Sequence, residues 1–494
     1  HAFISLFLLI LPLSVTDAYF NITETKLITF YILASAYLIA QLFVFSIYFA
    51  TNGKAFLKSL DFNLNFLDVA FILLGVAYIV SGIFSPYSAS DVVFGIGSRY
   101  QGILTVFLYI ILYFVLTRTF SFSPWCLFWA GIGFSIVSLV AVLNGFSVDP
   151  LGFYMDLSAI NKSRYLSTIG NVNFYSAYYN IIFPILIVGF CKAIDKKSLI
   201  SFGSFVLIGS VGMLFTASES FLLGFLFAMV LLLLFFMDDV KALKRFIGAC
   251  LLFIATITGY VNLFKLTVFK DVLNFSPSDL MKIIAEPVIS FSIIILLTFI
   301  LIISVKKPDL LPILKRIFTI IFVITVLGGV ILVLLLNTVF KNIDIGTFEE
   351  YLKFSPEWGT NRGQNWIFCV NEFIKAPLKF KIFGYGPETY RHLTADTGFY
   401  ATKSLDQVHN EYLHYLITTG VFGLFSYLSI IFVTLRNSLK NIRNNAVAVS
   451  VLCGLVAYWI QAFVNIAQPF TTPIMFVLIA VLSKLCVLEK HNAK

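Results

Sequence analysis

Apolar residues fill long blocks separated by short polar stretches, and this pattern repeats from one end of the chain to the other. A helix needs about 20 mainly apolar residues to cross a bilayer. Blocks of that kind fall at 2–16, 26–50, 66–84, 102–117, 125–144, 173–191, 199–216, 219–237, 245–262, 284–304, 316–340, 411–434, 446–466 and 471–488. The expected fold is all-α: a polytopic integral membrane protein with about 14 transmembrane helices. The first block lacks a small-residue cleavage site and reads as a span rather than a signal peptide. Residues 341–410 break the rhythm, because a connection of that length is usually a lid or a binding element. The pattern therefore divides the chain into helices 1 to 11 over 1–340, a long connection with short helices over 341–410, and helices 12 to 14 with a tail over 411–494.

Charge adds an orientation. The residues are 59% hydrophobic and only 12% charged. Nineteen of the 34 Lys and Arg residues fall in one set of alternate connections together with the C-terminal tail. Of the other fifteen, eight lie in 341–410. Short connections thus divide 19 to 7, and the positive-inside rule places both termini in the cytoplasm and 341–410 on the extracytoplasmic side. The net charge of +9 is then largely topological and gives no reason to expect a nucleic-acid partner. Cys126, Cys191, Cys250, Cys453 and Cys486 sit in or beside apolar blocks, which leaves Cys369 without an outer partner and excludes a disulfide framework.

Candidate chemistry gathers at the outer ends of the predicted helices. Residues 409–423, HNEYLHYLITTGVFG, place His409 and Asn410 at the mouth of a helix, with Gly420 and Gly423 further along it. A histidine there can accept a proton near neutral pH and so activate a hydroxyl group. Glycines three apart let a neighbouring helix approach closely. Within the long connection, NRGQNWIFCVNEFIKAP reads as a helix ended by Pro377. On it Arg362 and Trp366 share a face, an arrangement suited to a pyrophosphate beside a sugar or lipid, and Arg391 follows a Gly384-x-Gly386-Pro387 turn. The alternative for this helix is an interfacial segment held on the bilayer by its aromatics. Arg99 stands between Gly97 and Gly102, where a phosphate could approach the backbone and a guanidinium could fork onto it. Arg164, Asn171 and Asn173 precede the 173–191 block with Tyr175, Tyr178 and Tyr179, either to orient a sugar or as an ordinary aromatic belt. Glu219 stands at a membrane boundary, a costly place for a carboxylate unless it binds something or favours a helix N-terminus. Asp17 and Glu24 read as solvated loop charges rather than metal ligands.

The 409–423 segment resembles the H-[NSQ]-x9-G-x-x-[GTY] signature of the O-antigen ligase and polymerase superfamily. NRGQNWIFCVNEFIKAPLKFKIFGYGPETY is similar to that family's Arg-x3-Trp helix and G-x-G turn, and GSRYQGILT and TIGNVNFYSAY are similar to its Gly/Arg and Gly-Asn-x-Asn segments. The resemblance runs from about residue 85 to the last block. It implies a metal-independent, cofactor-free glycosyltransferase in the bacterial cytoplasmic membrane, moving a glycan from undecaprenyl pyrophosphate to a hydroxyl acceptor on a glycan, lipid or protein. It further implies that His409 acts as base or orienter and that Arg362 neutralises the departing pyrophosphate, with inversion at the anomeric carbon. Arg99 and Arg164 become the expected additional phosphate contacts, and Trp366, Asn171, Asn173, Asn410 and Glu219 the substrate-side residues.

One position departs from the pattern. Many relatives carry an arginine where this chain has Glu219, so a phosphate-gripping role there passes to Arg99, Arg164 or Arg391. The alternative class is a transporter or flippase of a glycan lipid or small anion. Transporters usually place ionisable groups near mid-membrane and show internal repeats, whereas the candidates here lie at helix mouths and no clear repeat is visible.

Overall fold

Every apolar block of the sequence becomes a helix in the structure, a computed structural model. It describes residues 1–494 apart from 60–62, 97, 98, 217, 271, 400–406, 443, 444, 493 and 494. Gly97 and part of the long connection therefore lie outside the described residues. In chain order the main helices begin with α1 (Ala2–Leu13), α2 (Ile22–Ser59), α3 (Phe66–Phe84), α4 (Ala89–Phe94), α5 (Ile103–Thr119), α6 (Pro124–Gly145) and α7 (Val172–Cys191). They continue as α8 (Lys196–Gly212), α9 (Glu219–Phe236), α10 (Val240–Lys265), α11 (Asp279–Ala285), α12 (Pro287–Lys306) and α13 (Leu311–Thr338). The long connection contributes α14 (Trp358–Lys375), α15 (Leu378–Phe383) and α16 (Tyr390–Asp396), and the chain closes with α17 (Glu411–Asn441), α18 (Ala446–Gln461) and α19 (Thr471–Asn492). A two-residue hairpin, Tyr165–Leu166 against Gly170–Asn171, is the only sheet among the described residues.

Eleven of these helices are long and apolar enough to cross a membrane, and α1, α5 and α18 are shorter apolar helices. Together they account for all fourteen expected spans, and the protein is an all-α polytopic membrane protein. The interior lies around α7, which packs on α8, α9 and α18, while α17 packs on α3 and α19 on α5. At the other extreme, α13 buries little beyond Leu311 and Leu336 and presents an apolar surface all round, as lipid allows.

Polar groups inside the bundle are spent on its own backbone and ion pairs. Asn65 caps α3 reciprocally with Asp68, and the buried Asp68 carboxylate also takes Arg118 at 3.0 Å and the Tyr113 hydroxyl at 2.8 Å. Buried Lys26 donates to the carbonyls of Leu11 and Pro12 at 3.0 and 2.8 Å. It thus satisfies groups that α1 leaves open at its C-terminal end.

The feature that shapes the site is a break in α17. Gly420 has φ +70° and ψ −173°, so the helix loses its regular path for one residue. The carbonyls freed there are taken by the long connection: Tyr385 N donates to Ile417 O at 3.1 Å and Gly386 N to Thr418 O at 2.9 Å. Ser81 Oγ of α3 adds a second bond to Thr418 O at 2.8 Å. Contact is backbone to backbone. A Cβ on Gly420 would lie 2.2 Å from Ile382 O, and one on Gly384 (φ +76°) 2.2 Å from Thr418 O.

Gly420→Ala forces a side chain into a conformation that favours glycine and into a neighbouring carbonyl, so it is expected to destabilise the protein by about 2 kcal/mol or more. Gly328→Ala on α13, where nothing lies within 4 Å, is expected to leave stability unchanged or slightly raised. Thermal unfolding of the two variants in one detergent checks this, and equal midpoints would refute the role given to Gly420.

Candidate active site

The long connection does not drape loosely over the bundle. Cys369, Tyr390, Leu393 and Val408 join Ile417 of α17 in a small apolar core of their own, with Trp366, Phe373 and Leu413 packed against it. Val408 is fully buried and anchors the chain immediately before His409. Asn410 then starts α17, its side chain accepting from Leu413 N at 3.0 Å. Between anchor and cap, His409 is left half-buried with a left-handed backbone, φ +56°.

Arg362 is presented by the first regular turn of α14. Gly359, Thr360 and Asn361 before it are left-handed at φ +59°, +60° and +69°. Glycine and asparagine tolerate that region, but a β-branched threonine does not do so readily. The Arg362 side chain runs past Gly359 and is half-buried. One turn on, Trp366 stacks on Phe354 at 5.8 Å and tilts against Trp358 at 5.0 Å between ring centroids. Its Nε1 is buried without a protein partner.

Arg99 arrives from the connection between α4 and α5. The stretch before it, from the end of α3 into α4, is tied to the long connection: Ser85 Oγ donates to Tyr385 O at 2.7 Å, the Tyr87 hydroxyl to Asp396 at 2.9 Å, and His392 Nε2 pairs with Asp91 at 2.9 Å. Tyr100 takes a left-handed φ of +56°, and Gln101 Nε2 donates to Arg99 O at 3.1 Å. The half-buried Arg99 guanidinium lies over Phe174 of α7, 5.5 Å from the ring centroid.

Arg362 and Arg99 both act electrostatically on His409. Burial pushes the His409 imidazole down from its usual range to about 3, and the positive charges of Arg362 and then Arg99 push it in the same direction. Burial also lowers Arg362. Two guanidinium charges thus bear on one neutral imidazole, a combination suited to a multiply charged anion beside a proton acceptor. Of the eight non-glycine residues with left-handed backbone among the described residues, Tyr100, Thr360, Asn361, Glu388 and His409 lie in the segments that build the candidate site. Such strain, about 1–3 kcal/mol per residue, clusters where a site needs it.

The other sequence candidates differ in exposure and in their hydrogen bonds. Arg164 is exposed beside the small hairpin, and Arg391 is exposed on α16. Asn171 caps α7 by accepting from Asn173 N at 2.8 Å, and the Asn173 carbonyl accepts from Asn465 at 3.3 Å. Glu219 accepts from Asp279 N and Leu280 N at 2.7 and 3.2 Å. It holds the start of α11, a helix other than its own. Among the described residues no group of three or more His, Cys, Asp or Glu side chains is placed to hold a metal ion.

Sequence reasoning passed over Glu388, Gln407 and His414. Glu388 and Gln407 are almost fully enclosed, and His414 Nε2 meets Glu388 Oε1 at 3.4 Å. The only signal was a carboxylate in the turn after Gly386 and a second histidine five residues beyond the first.

Residues 287–428 match a protein family described as O-antigen ligase. The matched segment includes Arg362, Trp366, Arg391, His409 and the break at Gly420, while Arg99, Arg164, Asn171, Asn173 and Glu219 lie outside it. The chain matches no curated protein.

Replacing Arg362 by Gln removes one of the two charges that depress His409, so the imidazole is expected to titrate above about 3 while burial keeps it below about 6.5. Histidine-selective NMR titration of the intact protein and of Arg362→Gln reads the shift directly. An unchanged value would separate the two residues.

Proposed function

We propose that this chain, which carries an O-antigen ligase domain over residues 287–428, is a glycosyltransferase that moves a glycan from undecaprenyl pyrophosphate to a hydroxyl acceptor. The observation that carries the reading is the family match over residues 287–428, which takes in Arg362 and the left-handed His409. The glycan class follows from that match and the undecaprenyl-pyrophosphate donor from the resemblance of the motifs, and the positive charge that Arg362 and Arg99 bring to bear on His409 suits an anionic leaving group. An open cleft of about 780 Å3 lined by Glu350, Phe354, Glu357 and Trp358 lies on the approach to α14 and is large enough for several sugar rings.

In the proposed reaction the diphosphate of the donor lies against Arg362 and Arg99. The acceptor oxygen attacks the anomeric carbon from the opposite side and its proton passes to the His409 imidazole. The bond from carbon to phosphate oxygen breaks with its electron pair leaving on undecaprenyl pyrophosphate, and direct displacement inverts the anomeric centre. Guanidiniums aimed at the leaving group stabilise charge where it develops.

The same charges couple donor binding to the base. With burial and then the two guanidinium charges acting on it, His409 is too weak a base to hold a proton at neutral pH. A bound diphosphate offsets the guanidinium part of that depression and raises the basicity of His409, so the base is stronger when the donor is in place. The acceptor is a glycan, lipid or protein hydroxyl, and the site faces the extracytoplasmic side, where the positive-inside distribution of Lys and Arg puts the long connection.

The test is release of undecaprenyl pyrophosphate from a defined lipid-linked glycan by the purified full chain, with chelator present, beside His409→Ala and Arg362→Ala at equal folded yield. Release by the intact chain with a loss on the order of a hundred-fold or more in each variant is expected. Equal release by all three would remove both residues from the mechanism, and no release from any donor would return the weight to transport. The acid limb of kcat is expected at higher pH than that of kcat/KM, because donor binding raises His409. Coincident limbs would overturn that coupling.

A further inference from the structure

A buried polar ring that the transfer chemistry does not use joins the helix of Arg362 to the chain just before His409. Asn365, one turn beyond Arg362 on α14, is fully buried and donates from Nδ2 to Gln407 O at 3.1 Å. Its Oδ1 accepts from the Tyr390 hydroxyl at 3.3 Å. Gln407, two residues before His409, donates from Nε2 to Glu388 Oε2 at 3.3 Å. The other oxygen of Glu388 meets His414 Nε2 of α17 at 3.4 Å. The His414 ring lies edge-on to Tyr390 at 6.4 Å, so the circuit returns to the residue that holds Asn365.

Four stretches of chain meet in this ring: the helix of Arg362, the turn after Gly386, the approach to His409 and the first turns of α17. Glu388 is its hub. It is 3% exposed and its own backbone is left-handed at φ +59°. Its two oxygens serve two partners, one accepting from Gln407 and the other lying 3.4 Å from the imidazole nitrogen of His414. His414 Nδ1 is buried with no partner, which leaves Glu388 as the polar contact that fixes the ring. Such a network specifies one arrangement when complete, and loss of one member leaves buried groups unpaired.

We infer that Glu388 is a positioning residue for the transfer reaction: through Gln407 and Asn365 it holds the strained turn at His409 in register with Arg362. The inference rests on the proposed transfer reading. Glu388 touches neither diphosphate nor acceptor, so its removal is felt through His409 and not through donor binding.

The test uses the full chain with Glu388→Ala, Glu388→Gln, His409→Ala and the double variant Glu388→Ala/His409→Ala. Glu388→Ala is expected to lower kcat on the order of a hundred-fold, while binding of undecaprenyl pyrophosphate alone stays within about three-fold. Glu388→Gln keeps an acceptor for Gln407 and is expected to recover most of the loss. The double variant is expected to be no slower than His409→Ala, because the two losses share one cause. Additive losses, failure of Gln to rescue, or a parallel fall in undecaprenyl pyrophosphate binding would overturn the role.

A second measurement needs no turnover: the rate at which diethyl pyrocarbonate modifies His409, followed by mass spectrometry. Release of the turn in Glu388→Ala is expected to raise that rate several-fold, and an unchanged rate overturns the inference. An intact chain that transfers nothing sinks the transferase reading, while this rate still decides whether Glu388 holds His409.

Discussion

Much of this protein's loop-side architecture depends on one interruption. At Gly420 helix α17 gives up its regular path, and the backbone amides of Tyr385 and Gly386 take the carbonyls that are freed. Unpaired carbonyls inside a bilayer are costly, so a broken helix persists only where protein satisfies them. The long connection is therefore pinned to α17 by main-chain bonds. From that pin follow the placement of Glu388 and Tyr390, the seating of α14 through Asn365, and the presentation of Arg362. The ties from Ser85, Tyr87 and Asp91 fasten the stretch before Arg99 to the same connection.

The electrostatic consequence is a site under tension. Burial, and then the charges of Arg362 and Arg99, hold the His409 imidazole neutral. In the proposed reaction a bound diphosphate offsets those charges, so donor binding and a rise in the basicity of His409 have the same physical origin. The left-handed residues around the site are a store of unfavourable energy, held in place by the small apolar core of the connection and by the polar ring.

Polar residues at helix mouths deserve a plain reading first. Asn171 and Asn410 look like sugar ligands when met in sequence, yet each side chain accepts from the backbone of the helix it begins. Glu219 takes a similar duty on behalf of a different helix. A helix end leaves several amides open, and the nearest short polar side chain closes one of them before any ligand is considered.

Hydrophobic blocks of bilayer length determined the fourteen helices, because the period and length of such blocks are properties of local sequence. The 409–423 motif and the Arg362 helix were legible for the same reason: their residues lie within a few turns of one another. The break at Gly420 was foreseen only as a close approach of helices, since nothing local says which backbone will fill it. The electrostatic link of Arg99 to His409 joins residues hundreds of positions apart, and the sequence alone did not separate the half-buried Arg99 from the exposed Arg164. Glu388 and His414 carried only a faint signal, a carboxylate after a glycine turn and a second histidine, because a buried pair acquires meaning only from the partner it meets. What the sequence determined was which segments are helices and which side chains have suitable chemistry. The tertiary structure decided which of those side chains share a dielectric, since charge and hydrogen bonding act through space and not along the chain.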